Sequence, residues 1–456
     1  MDVSSLMGGG DPAQEPAFEY TAQASSPLVS GEVKLVIGEN ALTFTALFGA
    51  AEIPFAEVNA LTLADYVVTV RADSGDHVFS RMGNWCQPFY DAIVYAYNKA
   101  VLRALFVSDD PVLTAKGNYR YSETDAVGNN IAVSGAAPVQ VYESSVVCLP
   151  PDLGARRVPL CFVSGLDQGD YELTLRLGSG ESYTFAKLGY DTAPFEAAVE
   201  KQIRALREKS LTAVKELDPA LTVAQASQLA GFVPEGAAAP IGQLAGIAPS
   251  FAAALEAKIA ETRAAESYAV FRDLGDPAQI YVGFRKNDAT EGTDGAGGGL
   301  LSALGGALGG EGVGGGLGEA LGGLLGGGGS AADGEEAELP PPDPYLLWLI
   351  APSPDGLYAA VEFAEANSAT FVYRTGGDFH AFARQLNRAL EAIDFKREVI
   401  RLTDEELRKP ENTDYYMAAK RTAALQFVRA HFAGRVIHSN PNAWKQSLQE
   451  YFRGNK

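Results

Sequence analysis

The residues of this chain that could do chemistry are four histidines, three cysteines, a surplus of carboxylates and one glycine-dense tract. His77, His380, His431 and His438 show neither HxxxH nor HxH spacing, so no two imidazoles fall on one helix turn or one strand face as a metal site needs. Cys86, Cys148 and Cys161 are odd in number, widely spaced and free of a CxxC pair. Their apolar neighbours (Val147-Cys148-Leu149, Leu160-Cys161-Phe162) read as buried, reduced thiols, consistent with a reducing compartment. There is no GxSxG and no GxGxxG placed after a strand. The tract 292–329 is dominated by Gly, Leu and Ala but holds no lysine, so it lacks the GxxxxGK[ST] form of a phosphate loop. It is too glycine-dense for a membrane helix and too poor in large side chains to repay its ordering entropy, which makes it a flexible loop. No catalytic, cofactor-binding or metal-binding residue is assigned, no cofactor is expected, and the chain reads as non-enzymatic, with an enzyme of unrecognised type as an alternative.

The C-terminal region is locally basic. Lys420, Arg421, Arg429, His431, Arg435, His438, Lys445, Arg453 and Lys456 are interleaved with Trp444, Tyr451 and Phe452. That mixture is the one candidate footprint for nucleic acid. The preferred reading is a solvated face, or a face that docks on the acidic remainder. The whole chain carries 57 acids against 36 bases and a formal charge of −21, which disfavours nucleic acid and anionic bilayers as partners of the average surface.

The elements that position these residues are announced by a repeat. Asp65-Tyr-Val-Val-Thr-Val-Arg-Ala-Asp-Ser-Gly75 is followed by His77-Val-Phe79 and by Gly83-Asn-Trp-Cys-Gln-Pro88-Phe89. Further on come Asp170-Tyr-Glu-Leu-Thr-Leu-Arg-Leu-Gly-Ser-Gly180, then Tyr183-Thr-Phe185, then Gly189-Tyr-Asp-Thr-Ala-Pro194-Phe195. Asp65, Tyr66, Thr69, Arg71, Ser74 and Gly75 recur at one offset, as does Ile53-Pro54 in Val158-Pro159. Phe79, Gly83, Pro88 and Phe89 recur at an offset one residue larger. Duplication of a unit of strands, turn and helix explains the pattern.

In the first copy, period-two runs predict strands over 18–22, 33–37, 41–47, 52–55, 60–64, 66–71 and 77–81. A helix over 88–106 follows, with Asn84 as N-cap and Phe89, Ile93, Tyr97 and Val101 on its apolar face. The second copy predicts strands over 117–122, 139–143, 145–149, 158–163, 171–177 and 182–188. Its helix spans 194–209, with Phe195, Val199 and Ile203 inward. Trp85, Pro88 and Phe89 are expected to pack. About seven antiparallel strands closed by a C-terminal helix resembles the pleckstrin-homology-like β-barrel. The resemblance implies an α+β protein of repeated barrels, with a helical segment and a helical C-terminus.

The domain organisation expected is a disordered leader 1–16, PH-like module 1 at 17–108 and PH-like module 2 at 109–209. A helical connector follows at 210–266. A degenerate third module spans 267–396, interrupted by a Gly-rich loop at 289–343, and a helical extension completes the chain at 397–456. Within these, Thr222-Val-Ala-Gln225 and Thr403-Asp-Glu-Glu406 have capping-box form. Strands are read at 268–274, 279–285, 345–351, 357–363 and 369–374, and helices at 378–395, 413–433 and 440–452.

Barrels of this resemblance bind phosphoinositides through cations on the first strands and their loop. Here the loop 24–31 has none, and 123–138 carries two acids and no base. Phosphoinositide binding is therefore disfavoured. Docking of a protein or peptide partner, as a scaffold or adaptor, is the preferred function; peripheral membrane association is the alternative. No secretion signal and no spanning apolar run is read, so a cytoplasmic location is expected.

Overall fold

The computed structural model describes residues 19–107, 109–124, 129–150, 153–234, 237–286, 345–364, 369–438 and 440–453. The expected leader 1–16 and the tract 292–329 lie outside them. The described residues build a mixed α+β protein with three antiparallel sheets, one of them a half-barrel curled from seven strands. The chain divides into two units. The first comprises Met1–Thr212, Ser227–Ala237 and Tyr373–Phe432, and the second Ala213–Ala226, Ala238–Val372 and Ala433–Lys456.

The first sheet comprises β1 (Glu19–Ser25), β2 (Gly31–Ile37), β3 (Ala41–Ala46), β4 (Gly49–Pro54), β5 (Val58–Ala64), β6 (Val67–Ala72) and β7 (Gly75–Ser80), ordered β4-β3-β2-β1-β7-β6-β5. Alternation places Leu35, Phe44, Ile53, Val68 and Phe79 on the buried face. Helix α1 (Cys86–Ala104) covers that face with Phe89, Ile93, Tyr97 and Val101, all essentially inaccessible. Each such large side chain contributes about 1.5–3 kcal/mol of burial. Asn84 does not cap α1 as expected. A 3-10 turn at Gly83–Trp85 leads into the helix, and the amides of Trp85 and Cys86 are satisfied by the carbonyls of Met82 and Gly83. Of the three residues expected to pack here, only Phe89 is buried; Pro88 is exposed and Trp85 is 67% exposed.

His77 is fully buried on β7, with Nδ1 2.8 Å from Ser26 Oγ and Nε2 3.0 Å from Ser74 Oγ. Burial lowers its pKa below the ordinary 6.5, with Asp76 opposing. The unfolded chain therefore takes up the proton more readily. The stability this ring contributes is present above about pH 6.5 and is lost as pH falls towards the folded-state pKa. A His77→Gln chain should lack that loss, so the melting-temperature gap between wild type and variant should narrow from about pH 7.5 to about pH 5.5. A gap independent of pH would show that another group is responsible.

The second sheet comprises β8 (Leu113–Thr124), β9 (Asn130–Val141), β10 (Ser145–Cys148), β11 (Arg156–Pro159), β12 (Val163–Gly169), β13 (Glu172–Leu177) and β14 (Ser182–Ala186). Its order is β11-β10-β9-β8-β14-β13-β12, which matches the first sheet strand for strand. The correspondence reaches irregular features. A 3-10 turn precedes β5 (Phe55–Glu57) and β12 (Leu160–Phe162). Each of these strands carries one register shift, at Val58/Ala60 and at Val163/Gly165. Gly75 and Gly180 both turn with positive φ, the conformation in which a Cβ is penalised. Three expectations fail in this sheet. The strand expected at 158–163 ends at Pro159, and the 3-10 turn Leu160–Phe162 separates it from β12. Most of 123–138 is not loop, because β9 pairs with β8 from Leu113↔Val141 to Thr124↔Asn130. The closing helix α2 (Thr192–Leu217) also runs beyond residue 209. Phe195, Val199 and Ile203 are inward as expected.

Short helices follow: α3 (Val223–Phe232), α4 (Ile241–Ile247), α5 (Pro249–Ala260) and α6 (Ala265–Leu274), with β15 (Ala239–Pro240) between the first two. The capping box at Thr222 forms, with Gln225 N donating to Thr222 Oγ1 and Thr222 N to Gln225 Oε1. The strand expected at 268–274 is part of α6. Its Ser267, Val270 and Phe271 are buried at the i, i+3, i+4 spacing of a helix face, with Tyr268 beside them.

The third sheet is ordered β15-β16-β17-β18-β19-β20, with β16 (Tyr281–Lys286), β17 (Tyr345–Pro352), β18 (Tyr358–Phe363) and β19 (Ala369–Arg374). Gly283 faces Trp348 across the β16–β17 ladder, and a Cβ on Gly283 would fall 2.1 Å from the indole. The glycine therefore makes room for a fully buried tryptophan. On β18 the inaccessible Glu362 accepts from Thr370 Oγ1 at 2.6 Å and lies 3.3 Å from His438 Nε2; Trp444 Nε1 also donates to Thr370 Oγ1.

The remaining helices are α7 (Phe379–Ala392), α8 (Glu398–Arg401), α9 (Asp404–Leu407), α10 (Thr413–Arg421) and α11 (Ala423–His431). They are followed by β20 (Phe432–Ile437) and α12 (Pro441–Phe452). Asp378 caps α7, and Thr403 and Glu406 close the second capping box at α9. The single helix expected at 413–433 is two helices, broken where Thr422 is extended (φ −118°, ψ 107°). β20 is a strand within a region expected to be helical.

Candidate functional site

The cations expected to form a C-terminal face are dispersed by the fold into separate roles. Arg429 donates to the carbonyls of Val399 and Leu402 and pairs with Asp404, which fastens α11 to the end of α8. Lys445 pairs with Asp273. Trp444 and Phe452 are buried and unavailable for base stacking. Arg435 and Arg453 are exposed. Lys420 and Arg421, at the end of α10, go elsewhere.

These two residues line a polar cavity of ≈160 Å3 in the first unit, between the second sheet, α7 and the bend at Thr422. β8 contributes Tyr121 and Glu123, β11 contributes Arg156 and Arg157, and β14 contributes Tyr183, with Glu181 just before it. Arg388 enters from α7. Five cations and two acids therefore line a cavity in a chain that is strongly acidic overall.

Most of these charges are held by named partners. Arg388 is almost wholly buried, and its guanidinium reaches Glu181 at 3.3 Å, Glu391 at 3.0 Å and the Arg157 carbonyl at 3.0 Å. Burial works against the charge on Arg388, but the two carboxylates more than offset it and raise its pKa. Arg157 Nη1 pairs with Glu391 at 2.6 Å. Arg156 lies over the Tyr121 ring and donates to Tyr121 Oη at 2.6 Å and to the carbonyls of Gly154 and Ala155. Tyr121 stacks on Tyr183 with ring centroids 5.0 Å apart, which makes an aromatic wall. Burial raises the pKa of both phenols, so both stay protonated near neutrality.

Lys420 and Arg421 are held less completely. Lys420 Nζ is 3.7 Å from Asp73, an ion-pair distance but no hydrogen bond, and burial lowers its pKa. Arg421 lies over the Tyr97 ring at 5.1 Å and has no carboxylate partner among the described residues. Burial alone pushes its pKa down to about 10. Three buried donors lack hydrogen-bond partners around this cavity: Arg157 Nε, Lys420 Nζ and Arg421 Nε.

No protein-family model matches the chain, and no curated protein matches it.

A second set of candidate residues is exposed and apolar. Tyr66, in the β5–β6 turn, and Tyr171, in the β12–β13 turn, are each 73% exposed and each has positive φ. Trp85 and Tyr190 project from the 3-10 turns that precede α1 and α2, and both are exposed. In each sheet the turn and the segment after the last strand lie at one end, because β6 pairs with β7 and β13 with β14. Lys187 N donates to the Tyr171 carbonyl and joins them directly. At the β3–β4 turn, Leu47 and Phe48 are almost fully exposed.

Among the cysteines, Cys86 and Cys148 are buried as expected, whereas Cys161 is only partly covered. Among the described residues no three His, Cys, Asp or Glu side chains come together as metal ligands. No helix among them is long and apolar enough to cross a membrane.

Proposed function

We propose that this chain is a non-catalytic, multi-module scaffold or adaptor that docks protein partners through two duplicated, pleckstrin-homology-like barrels. The duplication is supported by the shared strand order, the matching 3-10 turns and register shifts, and the closing helix in each copy. The observation that carries the docking function is the pair of exposed aromatics at one end of each sheet. A tyrosine held at positive φ is strained, and one that is 73% exposed gains little packing in return. The same sacrifice at Tyr66 and Tyr171, with Trp85 and Tyr190 nearby, fits residues kept for an interface, where Tyr and Trp are enriched. Two linked docking surfaces would add avidity when both engage.

The test uses Tyr66→Asn with Trp85→Ser, and Tyr171→Asn with Tyr190→Ser. Asparagine tolerates the left-handed turn better than tyrosine, so folding should be unharmed. The immobilised wild-type chain should retain one defined partner at stoichiometric yield from its native lysate, and the variants should lose it with unchanged melting temperature. A wild-type chain that retains nothing, or variants that retain the partner undiminished, would overturn the proposal. Retention of phospholipid vesicles in place of protein would favour peripheral membrane association.

A further inference from the structure

We propose that the cavity lined by Arg156, Arg157, Lys420 and Arg421 is a binding site for a small oxyanion, a phosphate or carboxylate group carried on a small molecule. The inference is independent of the docking surfaces and of the duplication.

Three observations converge on it. The first is charge. The chain has 57 acids for 36 bases, yet five cations line this cavity against Glu123 and Glu181, and counting the adjoining Glu391 and Asp73 still leaves the cations in excess. Such a reversal concentrates positive potential in one recess of an otherwise negative protein, where low-dielectric walls strengthen it. The second is incomplete pairing. Arg388 and Arg157 are neutralised by Glu181 and Glu391, but Arg421 has only the face of Tyr97. A buried guanidinium without a counter-charge is costly, and a bound anion removes that cost. The third is the set of orphaned donors. Arg157 Nε and Arg421 Nε lack acceptors and Lys420 Nζ has only its 3.7 Å ion pair with Asp73 and the face of Tyr416, and all three belong to residues lining the same space. An oxyanion offers several acceptor lone pairs at once and matches the guanidinium fork.

The space suits such a ligand. One water needs about 10–15 Å3 of cavity, so ≈160 Å3 admits a small anion together with some of its hydration. The walls also suit discrimination. Tyr121 and Tyr183 stack as a flat aromatic surface beside the cations, and Glu123 and Glu181 would repel a polyanion. The site therefore favours a ligand of low charge with a compact anionic group over a highly phosphorylated one.

Arg421 makes a clean test because it holds no ion pair among the described residues. The full chain is titrated by calorimetry and by thermal shift with sodium phosphate and, separately, with sodium succinate, against sodium chloride at matched ionic strength. At least one of the two anions should bind with one-to-one stoichiometry and raise the melting temperature beyond the chloride control. Phosphate acting alone would assign a phosphate site, and succinate alone a carboxylate site. Arg421→Gln should fold with an undiminished melting temperature in chloride and should weaken the anion at least tenfold. Lys445→Gln, which changes a cation of the second unit that is not among the cavity's lining residues, should leave affinity unchanged. Failure of both anions to act beyond ionic strength would overturn the proposal, as would an Arg421→Gln chain that responds like wild type.

Discussion

Replacing Arg388 with alanine is expected to destabilise the first unit by about 3–5 kcal/mol, read as a lower urea midpoint for loss of far-UV dichroism. The guanidinium is the shared partner of Glu181 and Glu391, and the side chains of all three are close to fully buried. Its removal leaves Glu181 without the guanidinium that pairs with it and Glu391 with Arg157 alone. The Arg157 carbonyl also loses a donor. Arg388→Lys should recover only part of the loss, because an ammonium cannot serve two carboxylates and a carbonyl with one planar fork. A loss below about 1 kcal/mol, the size of an exposed pair, would mean that these carboxylates find water once the guanidinium is gone.

Trp348→Ala should cost about 3–5 kcal/mol in the second unit. The indole is the largest fully buried side chain described, and it lies against Gly283, where no other residue leaves space for it. Truncation opens a void that the glycine opposite cannot fill. Trp444 is buried in the same unit and remains as a fluorescence reporter, so the shift can be followed in the variant itself. An unchanged fluorescence melting curve would show that the β16–β17 pair contributes little to that unit's cooperativity. Gly283→Ala probes the same contact from the other side: the ring must move, so destabilisation is expected there as well.

Most of the secondary structure could be read from the sequence because its signals are local. Period two in Leu42-Thr-Phe-Thr-Ala46 and the i, i+4 stripe of Phe89, Ile93, Tyr97 and Val101 are sufficient in themselves. The end of β9 is legible in the strand read at 139–143, but its longer first part was not, because Ala-Val-Ser-Gly-Ala-Ala carries little apolar contrast; its long ladder with β8 determines it. β12 contains Gly165, Asp167, Gln168 and Gly169 and is likewise held by its neighbour β13. The stretch 268–274 contains β-branched and aromatic residues suited to either state, and tertiary packing made it helical. β20 lies between helices and forms only because β19 offers an edge. The cavity was beyond local reading altogether. Tyr121, Arg156, Arg388 and Arg421 are far apart in the chain, and only the fold brings them together.

The shared strand order of the first two sheets also sets a kinetic hazard. A refolding chain contains two strands of the β7 type and two of the β1 type, so β14 could be captured by β1, or β7 by β8, before the native partner arrives. Tandem modules of similar pattern are prone to such misassembly. Unequal length counters it: β8 and β9 each span twelve residues, whereas β1 and β2 each span seven. A hairpin between strands of different sheets would leave much of the longer strand without a ladder, and its backbone groups unpaired. The extra length of the second sheet's leading hairpin thus acts as an address label that tells each strand which sheet it belongs to.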